Sequence, residues 1–378
     1  MSSKSYSPGL EGVIAGETAI STVADQGLTY RGYPVGELIE KTSFDEVAYL
    51  LLYGDLPTES ELKGFQSRVA MARRLPEPLH PLFAGLPKWT PPLDVVRTAV
   101  SILGHFDQDR LDQSREANLR KAERLLGQIP VVIADFHRIS QGLQPVMARQ
   151  ELSHSANFLY MLRGTEPTAE EVRWVDLSMI LYAEHEFNAS TFTARVIVST
   201  QSSLHAGITG AIGALKGPLH GGANERVVEV LEAIGTPDKA EPWVRDALAK
   251  KQRIMGFGHR IYKSGDVRAG LLKPYVRAAA ERRGGIYLDR EVIADKVEEI
   301  MAREKSMHPN VDWPAGRLYS ALDLAIPLYT PMFAMARVAG WSAHIMEQLE
   351  NNRLIRPGAI YNGPAPRAVR PINERSRS

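Results

Sequence analysis

Along most of the chain apolar residues recur every three or four positions, the repeat of a helix that buries one face. Ser43-Phe44-Asp45-Glu46 opens an apolar run to Tyr53 as a capping box, in which the Ser43 hydroxyl and the Glu46 carboxylate satisfy amides left free at a helix start. Thr58 to Glu61 opens another such helix through about Arg73, and Thr168 to Glu171 opens one that runs through Trp174, Leu177 and Ile180 toward Tyr182. The same period predicts helices over 92–105, 114–127, 130–142, 152–162, 190–200 and 204–216, then over 224–234, 242–253, 267–283, 290–304 and 328–351. Residues 12–33 break the pattern, mixing Thr, Val, Tyr and Gly without helical period, and predict short strands and turns. The expected fold is therefore mostly α with a small N-terminal β element. The tail G-P-A-P-R-A-V-R-P reads as extended and must either be disordered or lie on something.

Composition narrows this. A chain of 378 residues, 44% of them hydrophobic, is long enough for two domains and a substantial core. Net charge is +1, from 45 basic and 44 acidic residues, and no long basic run occurs, so neither a nucleic-acid nor a membrane-surface partner is expected. Without cysteine there can be no disulfide, thiolate nucleophile or Cys-ligated zinc. Met1 to Glu11 carries no apolar signal core, and no run approaches the roughly 20 apolar residues of a membrane span, so a cytoplasmic location is expected.

Three polar segments stand out from the helical background. G-P-L-H-G-G-A-N-E, residues 217–225, sets His220 among glycines just before a helix that Asn224 is expected to cap. Free amides at that helix start would disfavour an imidazolium and keep the ring a neutral donor, although a histidine so placed can equally tie down a loop. Met255-Gly256-Phe257-Gly258-His259-Arg260 again sets a histidine beside glycines. The stretch from Arg260 through Lys263 to Arg268 adds three cations within nine residues, consistent with an anionic substrate or with a solvated charged face. Asn310-Val311-Asp312-Trp313 places a carboxylate between an apolar and an aromatic residue, surroundings that raise a pKa toward that of a useful general base.

Together, and in this order, G-P-L-H-G-G-A-N-E, G-F-G-H-R-I-Y-K with Arg268, and N-V-D-W resemble the three active-site segments of the citrate synthase family. The likeness extends through Leu152-Ser153-His154, E-H-E-F-N-A-S at 184–190 and G-W-S-A-H near the end, with wording closer to the 2-methylcitrate synthase branch. One departure follows the N-V-D. The family often continues with an aromatic residue, Tyr or His, Ser and Gly, whereas Trp313-Pro314-Ala315-Gly316 stands here and bears on the acyl pocket.

The resemblance implies a two-domain α fold, with residues 1–221 and 327–378 forming a large domain and 222–326 a small one, and the site between them. It implies condensation of oxaloacetate with acetyl-CoA or propionyl-CoA to citrate or 2-methylcitrate and CoA, a tricarboxylic acid cycle reaction needing no metal or other cofactor. Asp312 would be the base, His220 the donor to the enolate oxygen and His259 the proton donor to the ketone oxygen. His185, Arg268, Arg337 and Arg356 would bind oxaloacetate, Arg356 from the other subunit of a homodimer, and Arg260 and Lys263 would lie near CoA phosphates. The remaining histidines, His154 and His344 among them, read as structural or solvent-facing. Two rival readings are a metallohydrolase using His185, His220, His259 and Asp312, and a non-catalytic CoA-binding helical protein.

Overall fold

The computed structural model describes residues 6–24, 27–258 and 265–375. Strands β1 (Ser21–Ala24), β2 (Gly27–Tyr30) and β3 (Tyr33–Pro34) form one antiparallel sheet in sequential order, with Ser21 opposite Tyr30 and Tyr30 opposite Tyr33. The buried Tyr30 fastens this sheet to the helices, its hydroxyl lying 3.0 Å from the carbonyl oxygens of both Ile180 and Glu184.

The helices before the G-P-L-H-G-G segment are α1 (Val35–Lys41), α2 (Phe44–Tyr53), α3 (Glu59–Met71), α4 (Leu79–Gly85), α5 (Pro92–Phe106), α6 (Arg115–Ser140), α7 (His154–Arg163), α8 (Ala169–Tyr182), α9 (Ala189–Val198) and α10 (Leu204–Leu215). After it come α11 (Ala223–Ile234), α12 (Ala240–Ala249), α13 (Val267–Arg283), α14 (Ile286–Lys305), α15 (Asp312–Ala321) and α16 (Tyr329–Glu350). All three capping boxes form, at Ser43/Glu46, Thr58/Glu61 and Thr168/Glu171.

Some expectations are corrected. The helices expected at 114–127 and 130–142 are one, α6, which continues through Pro130. A proline inside a helix costs about 3 kcal/mol, and the buried run Leu125, Leu126, Ile129, Val132, Ile133 and Phe136 offsets it, at about 1.5–3 kcal/mol for each large side chain buried. Helices α1 and α4, seven residues each, are too short to show a period, and Trp313-Pro314-Ala315-Gly316 disguises α15 as a loop. Asn224 does not cap α11. Gly222 holds the cap position, and Asn224 lies inside the first turn, fully buried.

The apolar interior falls into two clusters. The larger runs through α1–α10 and α16 and extends into α13 and α15; the smaller gathers Val227, Leu231, Val244, Phe257, Val297, Trp313 and their neighbours, all within 227–313. Helix α16 is buried along nearly its whole length and packs against α2, α6, α8, α9 and α10. A Cβ at Gly340 would come within 2.3 Å of the Ala183 carbonyl oxygen, so α16 crosses the turn after α8 where no side chain fits. That crossing brings Arg337 and His344 to residues 182–185. Beyond α16 the chain from 356 to 375 is exposed throughout, with one short 3₁₀ turn at Ile372–Glu374.

Candidate active site

The end of α8 organises the site. Carbonyls in the last turn of a helix have no intrahelical partners and form its negative pole. The Arg337 Nε–H donates to the Tyr182 carbonyl at 2.5 Å, and Arg268 Nη1 lies 3.5 Å from that of Leu181. Both arginines are buried, and Arg268 forms a 2.7 Å ion pair with the buried Asp266, which also caps α13. The same carboxylate accepts the Val311 N–H at 3.1 Å, tying the arginine to the N-V-D-W segment. Burial pulls the Arg337 pKa down to about 10, with Glu184 opposing and Arg268 reinforcing the shift, so the guanidinium stays charged at neutral pH. Its Nη1 is buried and, among the described residues, has no hydrogen-bond partner. An unmet buried charged donor is costly, and a ligand carboxylate is the acceptor that a guanidinium fork completes best.

Asp312 is the first residue of α15, its N–H donating to Asn310 Oδ1 at 3.1 Å. The Tyr182 hydroxyl donates to its Oδ1 at 2.6 Å. Burial, the largest influence, pushes the carboxyl pKa up to about 6; the Tyr182 bond, Arg268 and Arg337 oppose it, and Asp266 adds to it. The expectation from its apolar neighbours therefore holds, with burial as the cause.

The loop carrying Asp312 is stitched to G-F-G-H. Phe257 and Pro309 form an antiparallel bridge, Gly258 N–H donates to the His308 carbonyl and Asn310 N–H to that of Gly256, both at 2.9 Å. Gly256 and Gly258 have φ of +88° and +79°, and a Cβ on Gly256 would lie 2.9 Å from the Trp313 ring. Two of the three motifs thus run side by side up to Gly258. His259, Arg260 and Lys263 lie outside the described residues.

The third motif enters from the turn between α10 and α11. His220 Nε2 lies 2.8 Å from Ser190 Oγ and accepts the Ser190 N–H at 3.3 Å. The same hydroxyl donates to Asn188 Oδ1 at 2.8 Å, so Ser190 engages Nε2 through both its amide and its oxygen. Trp341 Nε1–H donates to Ser190 Oγ at 3.1 Å and fixes that hydroxyl in turn. The His220 pKa is pushed down to about 4, first by burial and then by Arg337. The ring is neutral as the sequence led us to expect, with burial and the Arg337 guanidinium as the causes. Phe333 joins the groups: its ring is 6.1 Å from that of His220, 4.5 Å from that of Tyr182 and 4.7 Å from the Arg337 guanidinium carbon.

His185 lies in the turn after α8, and it is buried. Behind it Glu184 Oε1 accepts from Ser21 Oγ at 3.0 Å and from His344 Nε2 at 2.9 Å, while Arg195 Nε–H donates to His344 Nδ1 at 3.0 Å. Burial raises the Glu184 carboxyl, but His344 and Arg337 outweigh it and hold the group below its ordinary value. Arg356 stands apart, exposed on the extended segment after α16, where the neighbouring Ile355 N–H donates to Ser199 Oγ. Sequence reasoning passed over Tyr182, Ser190 and Asp266. Ser190 closes the quoted E-H-E-F-N-A-S, Asp266 sits two residues before Arg268, and Tyr182 carried no signal beyond ending a helix.

A helical fold with a small N-terminal sheet is what the comparisons also find. The family model described as citrate synthase, C-terminal domain, matches residues 9–358. Citrate synthase 2 of Bacillus subtilis is 45% identical, with 97% of this chain and 99% of the relative covered. 2-Methylcitrate synthase 1 of Corynebacterium glutamicum is 44% identical, with 100% of each covered. Among solved structures, the ternary complex of citrate synthase from Thermoplasma acidophilum with carboxymethyl coenzyme A and oxaloacetate aligns with a TM-score of 0.94 at 33% identity, over 99% of this chain and 100% of that one. The architecture is the citrate synthase fold, and its enzymes are acyltransferases. This chain belongs to the citrate synthase family.

Proposed function

We propose that this chain condenses oxaloacetate with an acyl-CoA and then hydrolyses the product thioester, releasing citrate or 2-methylcitrate and free CoA. The observation that carries the reading is the buried Asp312 carboxyl, with a pKa near 6, held in one cluster with a neutral His220 and a buried Arg337 whose Nη1 has no partner among the described residues. An α-proton of a thioester is weakly acidic, so its removal needs a base acting together with a donor to the developing enolate oxygen. Asp312 takes the proton, and the ring N–H of the neutral His220 donates to the enolate oxygen. The enol carbon then bonds to the ketone carbon of oxaloacetate, whose oxygen gains the proton that His259 supplies. Water finally cleaves the thioester, leaving a carboxylate and the CoA thiol. None of these steps calls for a metal.

Arg268, Arg337 and His185 hold the carboxylates and ketone of oxaloacetate, guanidinium forks suiting paired carboxylate oxygens better than ammonium groups do. Arg356 joins them from the other subunit of a homodimer, and its exposure away from its own chain's cluster supports this. Residues 222–326 act as a small domain that closes on the large one, a division supported by the separate apolar cluster within 227–313. Arg260 and Lys263 meet CoA phosphates, and the enzyme works in the cytoplasm. Both acetyl-CoA and propionyl-CoA are turned over: the citrate and 2-methylcitrate relatives are equally similar, and Trp313-Pro314-Ala315 departs from the usual wording beside the base. Thiol release measured with each acyl-CoA, with and without oxaloacetate, tests the reading. Release only when oxaloacetate is present supports it, and binding without release returns the chain to the non-catalytic alternative.

A further inference from the structure

We propose that Tyr182 is the positioning residue of the Asp312 base: its hydroxyl commits Oδ1 to a hydrogen bond and leaves Oδ2 to take the α-proton. The inference rests on the reading of Asp312 as the base.

The geometry is specific. Among the described residues, the Tyr182 hydroxyl at 2.6 Å is the one hydrogen-bond donor to the Asp312 carboxylate. A carboxylate in water has two equivalent oxygens and turns freely about its last bond. A single buried donor removes that equivalence, because releasing Oδ1 would strand a charged acceptor away from water. Tyr182 itself is held firmly, fully buried at the end of α8 with its ring against Phe333. Burial, with the Asp312 charge next, pushes its phenol pKa well above 10, so near neutral pH the group always donates. Its carbonyl holds Arg337, and the turn three residues on carries His185. One residue therefore sets the distance between the base and the carboxylate-binding side chains.

The arrangement has an opposing effect on basicity. Among the described residues, the charged and titratable groups facing Asp312 are Tyr182 from α8, Arg268 and Asp266 from the start of α13, Arg337 from α16 and Tyr319 from its own helix. Tyr182 and the two arginines favour the ionised form, while burial and Asp266 disfavour it. Donation from Tyr182 thus makes Asp312 a weaker base while giving it direction, and removing the hydroxyl separates the two effects.

The test compares Tyr182→Phe with site-specific replacement of Tyr182 by 3-fluorotyrosine, whose more acidic phenol donates more strongly. Two readouts are taken: the pH profile of thiol release, and titration of the Asp312 carboxyl by infrared difference against Asp312→Asn. A hydrogen bond to a charged group contributes enough to move a pKa by about one to two units. In Tyr182→Phe the acidic limb of kcat/KM and the infrared titration should both move up by that amount. Plateau kcat should fall about tenfold or more while KM for oxaloacetate stays within about threefold, losses of this size following from a misdirected group. The fluorotyrosine variant should move both titrations down. Unmoved titrations with unchanged kcat, or a change confined to KM, would overturn the proposal. Should the wild-type chain release no thiol, the functional reading fails by itself; the infrared titration still decides the hydrogen bond, and an Asp312 pKa unchanged in Tyr182→Phe overturns it.

Discussion

Replacing the base should make the protein more stable while destroying its activity. Folding takes the Asp312 carboxyl from 3.8, its ordinary value, to about 6 by burial, so an ionised Asp312 opposes folding. The sign follows from proton binding. Between the two values the folded chain holds a proton that the unfolded chain has lost, so the stability linked to that proton is complete below 3.8 and is lost as pH rises through about 6. At about 1.4 kcal/mol per unit, the two-unit difference amounts to about 3 kcal/mol at pH 8 and roughly half that at pH 5. Asp312→Asn keeps the side-chain volume and an acceptor for the Tyr182 hydroxyl but carries no charge to bury. With an unfolding entropy of about 2.1 cal/mol/K per residue, the variant should melt about 4 °C above wild type at pH 8 and about 2 °C above it at pH 5. Its thiol release should fall by about 10²–10⁴, the usual contribution of a general base. Thermal melts of both proteins without ligand, at the two pH values, check this. A variant melting at or below wild type at pH 8, or a gap independent of pH, would show that the Asp312 charge is not what burial penalises.

His220→Gln should lower kcat by about 10²–10³ with a small change in KM for the thioester. Because His220 is already neutral above about pH 4, the wild-type profile should keep its limb near 6 in this variant, and a limb that disappears with His220 would contradict the assignment. Arg337→Lys removes the planar fork and its bond to the Tyr182 carbonyl, so KM for oxaloacetate should rise by about a hundredfold or more; an unchanged KM would take Arg337 out of the substrate site. Co-refolding Asp312→Ala with Arg356→Ala should restore roughly a quarter of wild-type activity, since half of randomly paired dimers then contain one site with both residues intact. No recovery from a verified mixed dimer would confine Arg356 to its own subunit.

The sequence was legible where a local rule decides the outcome. A capping box needs only Ser or Thr and a Glu three residues on, and all three form as read. It was misread where distant packing outweighs a local preference, as at Pro130, where a buried face carries the helix through. The site divides in the same way. His220, Asp312 and the arginines announced themselves by glycine-rich settings or by resemblance. Tyr182 did not, because its importance comes from being the last residue of α8 opposite a loop 130 residues away, which no spacing reveals. The neutral state of His220 was read correctly for an incomplete reason. A helix start was visible in the sequence, whereas the burial and the Arg337 charge that dominate exist only after folding.

The charges around the site also bear on the order in which substrates act. Arg337 does three things in the unliganded chain: it adds to the burial that keeps His220 neutral, it favours the ionised and less basic form of Asp312, and among the described residues its Nη1 has no acceptor. Arg268 contributes more to the second effect than Arg337 does. Under the proposed condensation, oxaloacetate brings two negative charges to these arginines. Its carboxylates satisfy the unmet donor and screen both guanidinium groups from Asp312, which removes opposition to the upward push of burial and makes the carboxylate a stronger base. A thioester that arrives first meets a base held weak by the arginines, so little enol forms before the ketone that would capture it is in place.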